Sequence, residues 1–434
     1  MPAIPPHLPP APTRFRRRAW VAVALLVSAA AVWAGYSFVY PDWRADRALE
    51  SARKASADSD YEQAREHLRV LLRVRPKSAR GHFLMARASR QSDDLVAARR
   101  HLAQAKGAGW LREDLELEEH LIEAQEIGPR GENERGLHAL VSARHPAERE
   151  ILEGLAKGYR NAHLPVAAMT WLATWIDRFP EDWLPHQWRA ETFRDLSLPD
   201  DARADFLLVL ELRPRNPDAL RGLGQLELED KRDAGAAKGH FATLLEVAPD
   251  DPAGLLGMSV CLRSQGDSSG ARGFLDRLLS REPGHPRGCL EYAAIEADAG
   301  RPVEALGWAK RAETSLPDEP ELHFRLGALF NQLGRPDSAA PHLARSELLG
   351  GAYRKTGEWA RELLNDPSKT ELRYQIGAEL LRVGKDETAL AWLSSALLEK
   401  PDHKPSHLAL AAYYRKIGDA RRAAEHQRLG GSDK

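Results

Sequence analysis

Residues 266–283 read GDSSGARGFLDRLLSREP, residues 300–317 read GRPVEALGWAKRAETSLP, and residues 334–351 read GRPDSAAPHLARSELLGG. Laid over one another they share a glycine (266, 300, 334) and an alanine (271, 305, 339). The first two also share a closing proline (283, 317), and every one of these positions steps by 34 residues. A fixed period in this range marks a solenoid built from one supersecondary unit. The spacing describes a helix, a glycine turn and a second helix, ended by a proline that has no N–H to continue it.

The register extends in both directions. With the small residue of the first helix numbered position 8, that place holds Ala52, Ala86, Ile122, Ala156, Ala190, Gly224, Ser259, Ala293, Gly327, Gly377 and Ala411. Position 20, in the second helix, holds Ala64, Ala98, Glu134, Ala168, Ala202, Ala237, Ala271, Ala305, Ala339, Ala389 and Ala423. Alanine dominates position 20 because two helices must approach closely there and a larger side chain would part them. Pro302 and Pro336 suit the first turn of a helix, and Ser59-x-x-Glu62 and Ser368-x-x-Glu371 read as capping boxes. No segment alternates with period two for long enough to be a strand.

This pattern resembles the tetratricopeptide repeat. The resemblance implies an all-α, right-handed α-solenoid of about eleven repeats over residues 44–434, with helix A of each repeat facing a concave groove. Its partners would be protein or peptide segments. Two irregularities stand out. Repeat three, about residues 113–149, has Glu134 in the alanine place and a long Gly128–Gly131 turn, so its packing is expected to be looser. Between Gly334 and Gly384 the step is sixteen residues too long, and residues 351–367 read as one additional helix.

Ahead of the repeats, residues 1–18 form a Pro- and Arg-rich tail, and 19–40 run AWVAVALLVSAAAVWAGYSFVY without a charge. As a helix these 22 residues would span about 33 Å, against about 30 Å of bilayer hydrocarbon. The expectation is a single transmembrane helix, with Trp20, Tyr36 and Tyr40 near its ends. Arg14 and Arg16–Arg18 would keep the tail cytoplasmic and the repeats extracytoplasmic. Cleavage after Ala34 would instead make the segment a signal peptide, although the length favours an anchor.

Several function classes are excluded or disfavoured. A net charge of −1 with 29% charged residues argues against a nucleic-acid partner. Cys261 and Cys289 are the only cysteines, too few for a disulfide scaffold or a four-cysteine metal site. They are read either as buried apolar side chains or as one bridge. His82, His186, His323 and His407 all fall at position 4 of a helix A, one per repeat, which points to packing rather than metal ligation. Motifs for phosphate cradling, zinc hydrolysis or acyl transfer are missing. No enzyme activity, metal or cofactor is expected.

The candidate site is a basic stripe. Position 12 holds Arg90, Arg160, Arg194, Arg263 and Arg415, with Asn331 in a further copy, and Arg87 and Lys157 stand at position 9. The resemblance implies that positions 5, 9 and 12 face the groove, where guanidinium groups could grip an acidic segment. The competing account is that arginine near a helix C-terminus is favoured by the helix dipole and needs no ligand. A tryptophan cluster, Trp171, Trp175, Trp183 and Trp188, is read as ridge packing or as an exposed partner patch. With no asparagine at position 9, the carboxylate clamp known from some members of the family is not supported. The function expected is a membrane-anchored scaffold for protein–protein interaction in assembly of a bacterial envelope complex. The alternative is a factor for exopolysaccharide or cell-wall synthesis and export.

Overall fold

A computed structural model describes residues 40–431 apart from 163 and 232, together with 23, 25 and 27. Most of the expected membrane span therefore lies outside the described residues. Among those described, no helix is long and apolar enough to cross a membrane. The described residues hold 22 α-helices and no strand, alternating as the A and B helices of eleven tetratricopeptide-like repeats. The chain divides into two compact units between Glu123 and Ala124, inside helix A of repeat three, Arg112–Ile127.

Close approach at positions 8 and 20 organises both units. In the first, Ala52, Ala64, Ala86 and Ala98 are all within 1% of full burial. In the second, Ala168, Ala202, Ala237, Ala271, Ala305 and Ala389 are fully buried. Where position 8 is glycine, helix B carries a bulky side chain four residues beyond its alanine. A Cβ on Gly224 would meet Phe241 at 2.6 Å, and one on Gly327 would meet Leu343 at 2.6 Å. Small on one helix answers large on the other.

The turn between helices A and B closes through a left-handed residue. Gly266, Gly300 and Gly334 have φ of 86°, 71° and 70°. The next residue donates its N–H back to helix A, as in Asp267 N to Leu262 O at 2.9 Å. Ser59, Asp93 and Ser197 take the same place with φ near 60°, a conformation that costs a side chain about 1 kcal/mol. The two expected capping boxes are not made. Ser59 is this turn residue, and Asp60 caps the helix by accepting from Gln63 N. Ser368 instead bonds Asp366, leaving Lys369 as the N-cap without a side-chain bond.

Two departures from the period shape the second unit. Position 20 normally follows position 8 by twelve residues, but Gly224 and Ala237 are one residue further apart. Helix A of repeat six, Pro217–Leu226, absorbs the extra residue as a π-turn over Glu227–Lys231, the usual fate of a single insertion in a helix.

The second departure corrects the expectation of a separate helix at 351–367. Repeat nine has a single helix B of 30 residues, Pro336–Asn365. The closing proline due at position 351 is Gly351, so the chain has no obligatory stop before Pro367. The far half of this helix reaches the A–B turn of repeat five. Val166, Leu196 and Leu198 share one apolar cluster with Ala360, Leu363, Ile376, Leu380 and Trp392. Gly357 permits the contact, because a Cβ there would lie 3.1 Å from Ser197 Cβ.

A Gly357→Leu substitution should break this closure, at an overpacking cost of about 1–3 kcal/mol. Amide exchange at Phe193–Leu198 should accelerate while far-UV circular dichroism stays the same. Unchanged exchange there would show that the contact carries no stability.

Candidate functional site

Four of the position-12 arginines, Arg90, Arg160, Arg194 and Arg263, are engaged by the next repeat. In the first unit Arg90 is fully buried, its Nε 2.5 Å from a Glu118 that is also fully buried. Arg87 lies 3.5 Å from the same carboxylate and over the Phe83 ring. In the second unit Arg160 reaches Glu191 at 2.5 Å and Arg194 reaches Gln225 at 3.1 Å, both acceptors being position 9 of the following repeat. Arg263 donates to Glu291 at 2.6 Å and to Asp298 at 3.1 Å. Lys157 is buried against the Trp188 ring, which also packs beneath Arg160. Arg415 is exposed and bonds Gln427, and Asn331 is exposed. The stripe is thus a ladder between repeats, and the basis for expecting an acidic partner weakens wherever its arginines already hold an acceptor.

The tryptophans are packing residues. Trp175 is fully buried, meets Trp188 edge-on at 5.6 Å and donates Nε1–H to Asp182 at 3.1 Å. Trp171 packs against His138, and Trp183 lies under Arg213. Cys261 and Cys289 are free and fully buried, and burial pushes the Cys261 thiol up to about 11.

The position-4 histidines are buried as expected, with a polar role that the register alone did not reveal. His82 bonds the carbonyl of Pro76, the closing proline of the preceding repeat, through Nε2 at 2.9 Å. Its Nδ1 meets Nδ1 of His101 at 3.1 Å. The same pair recurs as His323 with His342 on Pro317, and as His407 with His426 on Pro401. A carbonyl only accepts, so each position-4 ring carries its proton on Nε2 and accepts at Nδ1 from its partner. His186 departs from this by pairing with Asp205, which Arg189 also grips. The constant spacing of 19 residues between partners was the readable signal. Among the described residues, no group of three or more metal-type side chains assembles.

What the helix-A faces do form is a recess in the second unit, across repeats six to nine, with a volume of about 530 Å³. Its floor is apolar, made by Leu228, Phe241, Leu256, Val260 and Leu290, and its rim is charged. Leu256, Val260 and Arg263 are positions 5, 9 and 12 of repeat seven, the register places the resemblance assigns to the groove. Arg263 is the one residue of the predicted stripe that lines it. Sequence reasoning missed Glu229, Arg287, Glu319 and Glu321 on the rim and the buried Glu291 among the lining residues. Burial pushes the Glu291 carboxyl above its usual range, and the Arg263 guanidinium only partly offsets this. Arg287 sits between Glu229 at 3.4 Å and Glu319 at 3.3 Å.

The tetratricopeptide repeat family model matches residues 189–252 and 262–320, which include Phe241, Arg263, Arg287 and Glu291 of the recess but not Leu256 or Val260. Solved structures similar to this chain include PilW, a type IV pilus biogenesis factor. It is 20% identical, covering 46% of this chain and 92% of its own, with a TM-score of 0.40. A tetratricopeptide repeat protein from Parabacteroides merdae is 15% identical over 65% of this chain and 99% of its own, with a TM-score of 0.43. The Cut9–Hcn1 assembly of the APC/C is 12% identical over 89% and 86%, with a TM-score of 0.36. No curated protein matches the chain.

Two outcomes follow from this geometry. Glu118→Ala should destabilise the first unit by about 3–5 kcal/mol, because it strands a buried guanidinium, whereas Arg90→Met with Glu118→Leu should cost far less. Chemical denaturation of the two variants beside the unaltered protein checks this. The second concerns pH. Burial, with His82 and Arg100 facing it, holds His101 down at about 4 in the fold, against 6.5 in the unfolded chain. Burial also lowers His342 and His426. A depressed histidine favours the fold when neutral, so this stability is complete above pH 6.5 and drains as pH falls toward 4. The melting temperature should drop across that window, and less steeply with asparagine at 101, 342 and 426.

Proposed function

We propose that this protein is a scaffold that holds a segment of a partner protein in the recess of repeats six to nine. In this reading residues 19–40 tether it to a membrane, the repeats lie on the extracytoplasmic side, and it serves the assembly of an envelope complex. The observation that carries the binding role is the recess itself. It offers apolar side chains to an anchor residue and charged groups around them, the layout of a peptide site rather than a reaction centre. The uncharged 22-residue stretch behind Arg14 and Arg16–Arg18 supports the tether and its orientation.

A photo-crosslinking amino acid at Val260 in the full-length chain tests the site in intact cells. A discrete adduct should form from Val260 and not from Ser280 on the exposed side of a helix B. Equal labelling from both positions would refute the recess as the binding place, and recovery of a polymer synthase would favour the polymer-export reading. A reporter enzyme active only outside the cytoplasm, fused after Lys434, should be active if the proposed orientation holds.

A further inference from the structure

We propose that the recess selects a partner segment bearing an arginine or lysine beside an apolar side chain, and that Arg287 occupies the cation's place until that segment arrives. This rests on the recess being the partner site. Four carboxylates, Glu229, Glu291, Glu319 and Glu321, line the recess with two guanidinium groups, Arg263 and Arg287, and Arg325 beside it holds Glu321 at 2.5 Å, which leaves Glu229 and Glu319 to share Arg287. Arg263 is committed to Glu291 at 2.6 Å. Arg287 is not held in the same way. Its contacts of 3.4 Å and 3.3 Å are long for charge-assisted hydrogen bonds, which run at about 2.7–2.9 Å. Its side chain is 49% exposed and that of Glu229 is 58% exposed, so the pair contributes little to stability.

Glu229 reaches this position through the inserted residue. It lies within the π-turn Glu227–Lys231, and it joins Arg287 two repeats away. A single-residue insertion thus adds a carboxylate to the mouth of an apolar recess and leaves it with a weak, replaceable partner. A cationic side chain entering between Glu229 and Glu319 would displace Arg287 toward water, while its apolar neighbour covered Leu256 and Val260. An acidic segment would instead add negative charge beside four carboxylates, one of which burial already raises.

Two labelled synthetic peptides, one alternating leucine with arginine and one alternating leucine with glutamate, test this by fluorescence anisotropy on the full-length protein. The arginine peptide should bind more tightly by about tenfold or more. Arg287→Ala should tighten it by roughly threefold further, since the competing cation is gone, and Glu229→Gln with Glu319→Gln should weaken it about tenfold. Equal or tighter binding of the glutamate peptide overturns the proposal, as does weaker binding of the arginine peptide to Arg287→Ala. If Val260 still crosslinks a partner while the glutamate peptide is preferred, the charge class fails and the binding site stands. If Val260 gives no adduct and neither peptide binds, both fail.

Discussion

Close approach of two helices at one small residue each is the constraint on which the rest of this structure depends. An alanine at position 20 and a small residue at position 8 let every hairpin but that of repeat three, which has Ile122 and Glu134 there, pack at backbone distance, with a bulky partner wherever position 8 is glycine. Burial of a leucine such as Leu244, Leu275 or Leu278 between hairpins then contributes about 1.5–3 kcal/mol. Because this contact repeats with little variation from repeat four onward, the helices A of the second unit present the same register positions to the same side. The recess exists because positions 5, 9 and 12 of successive repeats are stacked by that contact.

Polar groups buried by stacking are satisfied mainly between repeats. His82, His323 and His407 hold the carbonyl of the preceding closing proline, and Arg373 does the same for Pro367. Arg90, Arg160, Arg194 and Arg263 hold acceptors of the following repeat. Among the described residues, repeats are thereby bonded forward by an arginine at four places and backward by a position-4 histidine or arginine at four. An unpaired buried carbonyl or guanidinium would cost more than the bond gains, so these ladders specify neighbour order as much as they stabilise it.

The helices and their register were legible in the sequence because they follow from local periodicity and from alanine, glycine and proline at fixed spacings. The one-residue excess between Gly224 and Ala237 was legible too, yet it is informative only once a π-turn is seen to project Glu229. The arginine stripe was legible as a pattern but not as a function, since Glu191, Gln225 and Glu291 become partners only through the angle between repeats. The long helix B of repeat nine was misread as two helices, because Gly350 and Gly351 look like a break and yet sit inside a helix. Contact of Gly357 with Ser197 had no local signature at all.

That contact changes what kind of object the second unit is. In an ordinary solenoid each repeat touches only its neighbours, and stability is a sum of nearest-neighbour terms. Here the helix Pro336–Asn365 ties repeat nine and its successor to the turn of repeat five. The recess lies on repeats six to nine, within the span that the apolar cluster on Leu196, Leu198 and Trp392 closes. A binding surface held in this way loses less conformational entropy when it is occupied, and more of its contact energy remains as affinity. The sixteen extra residues therefore do not line the recess, but they bond the repeat before it to the repeats at its far end.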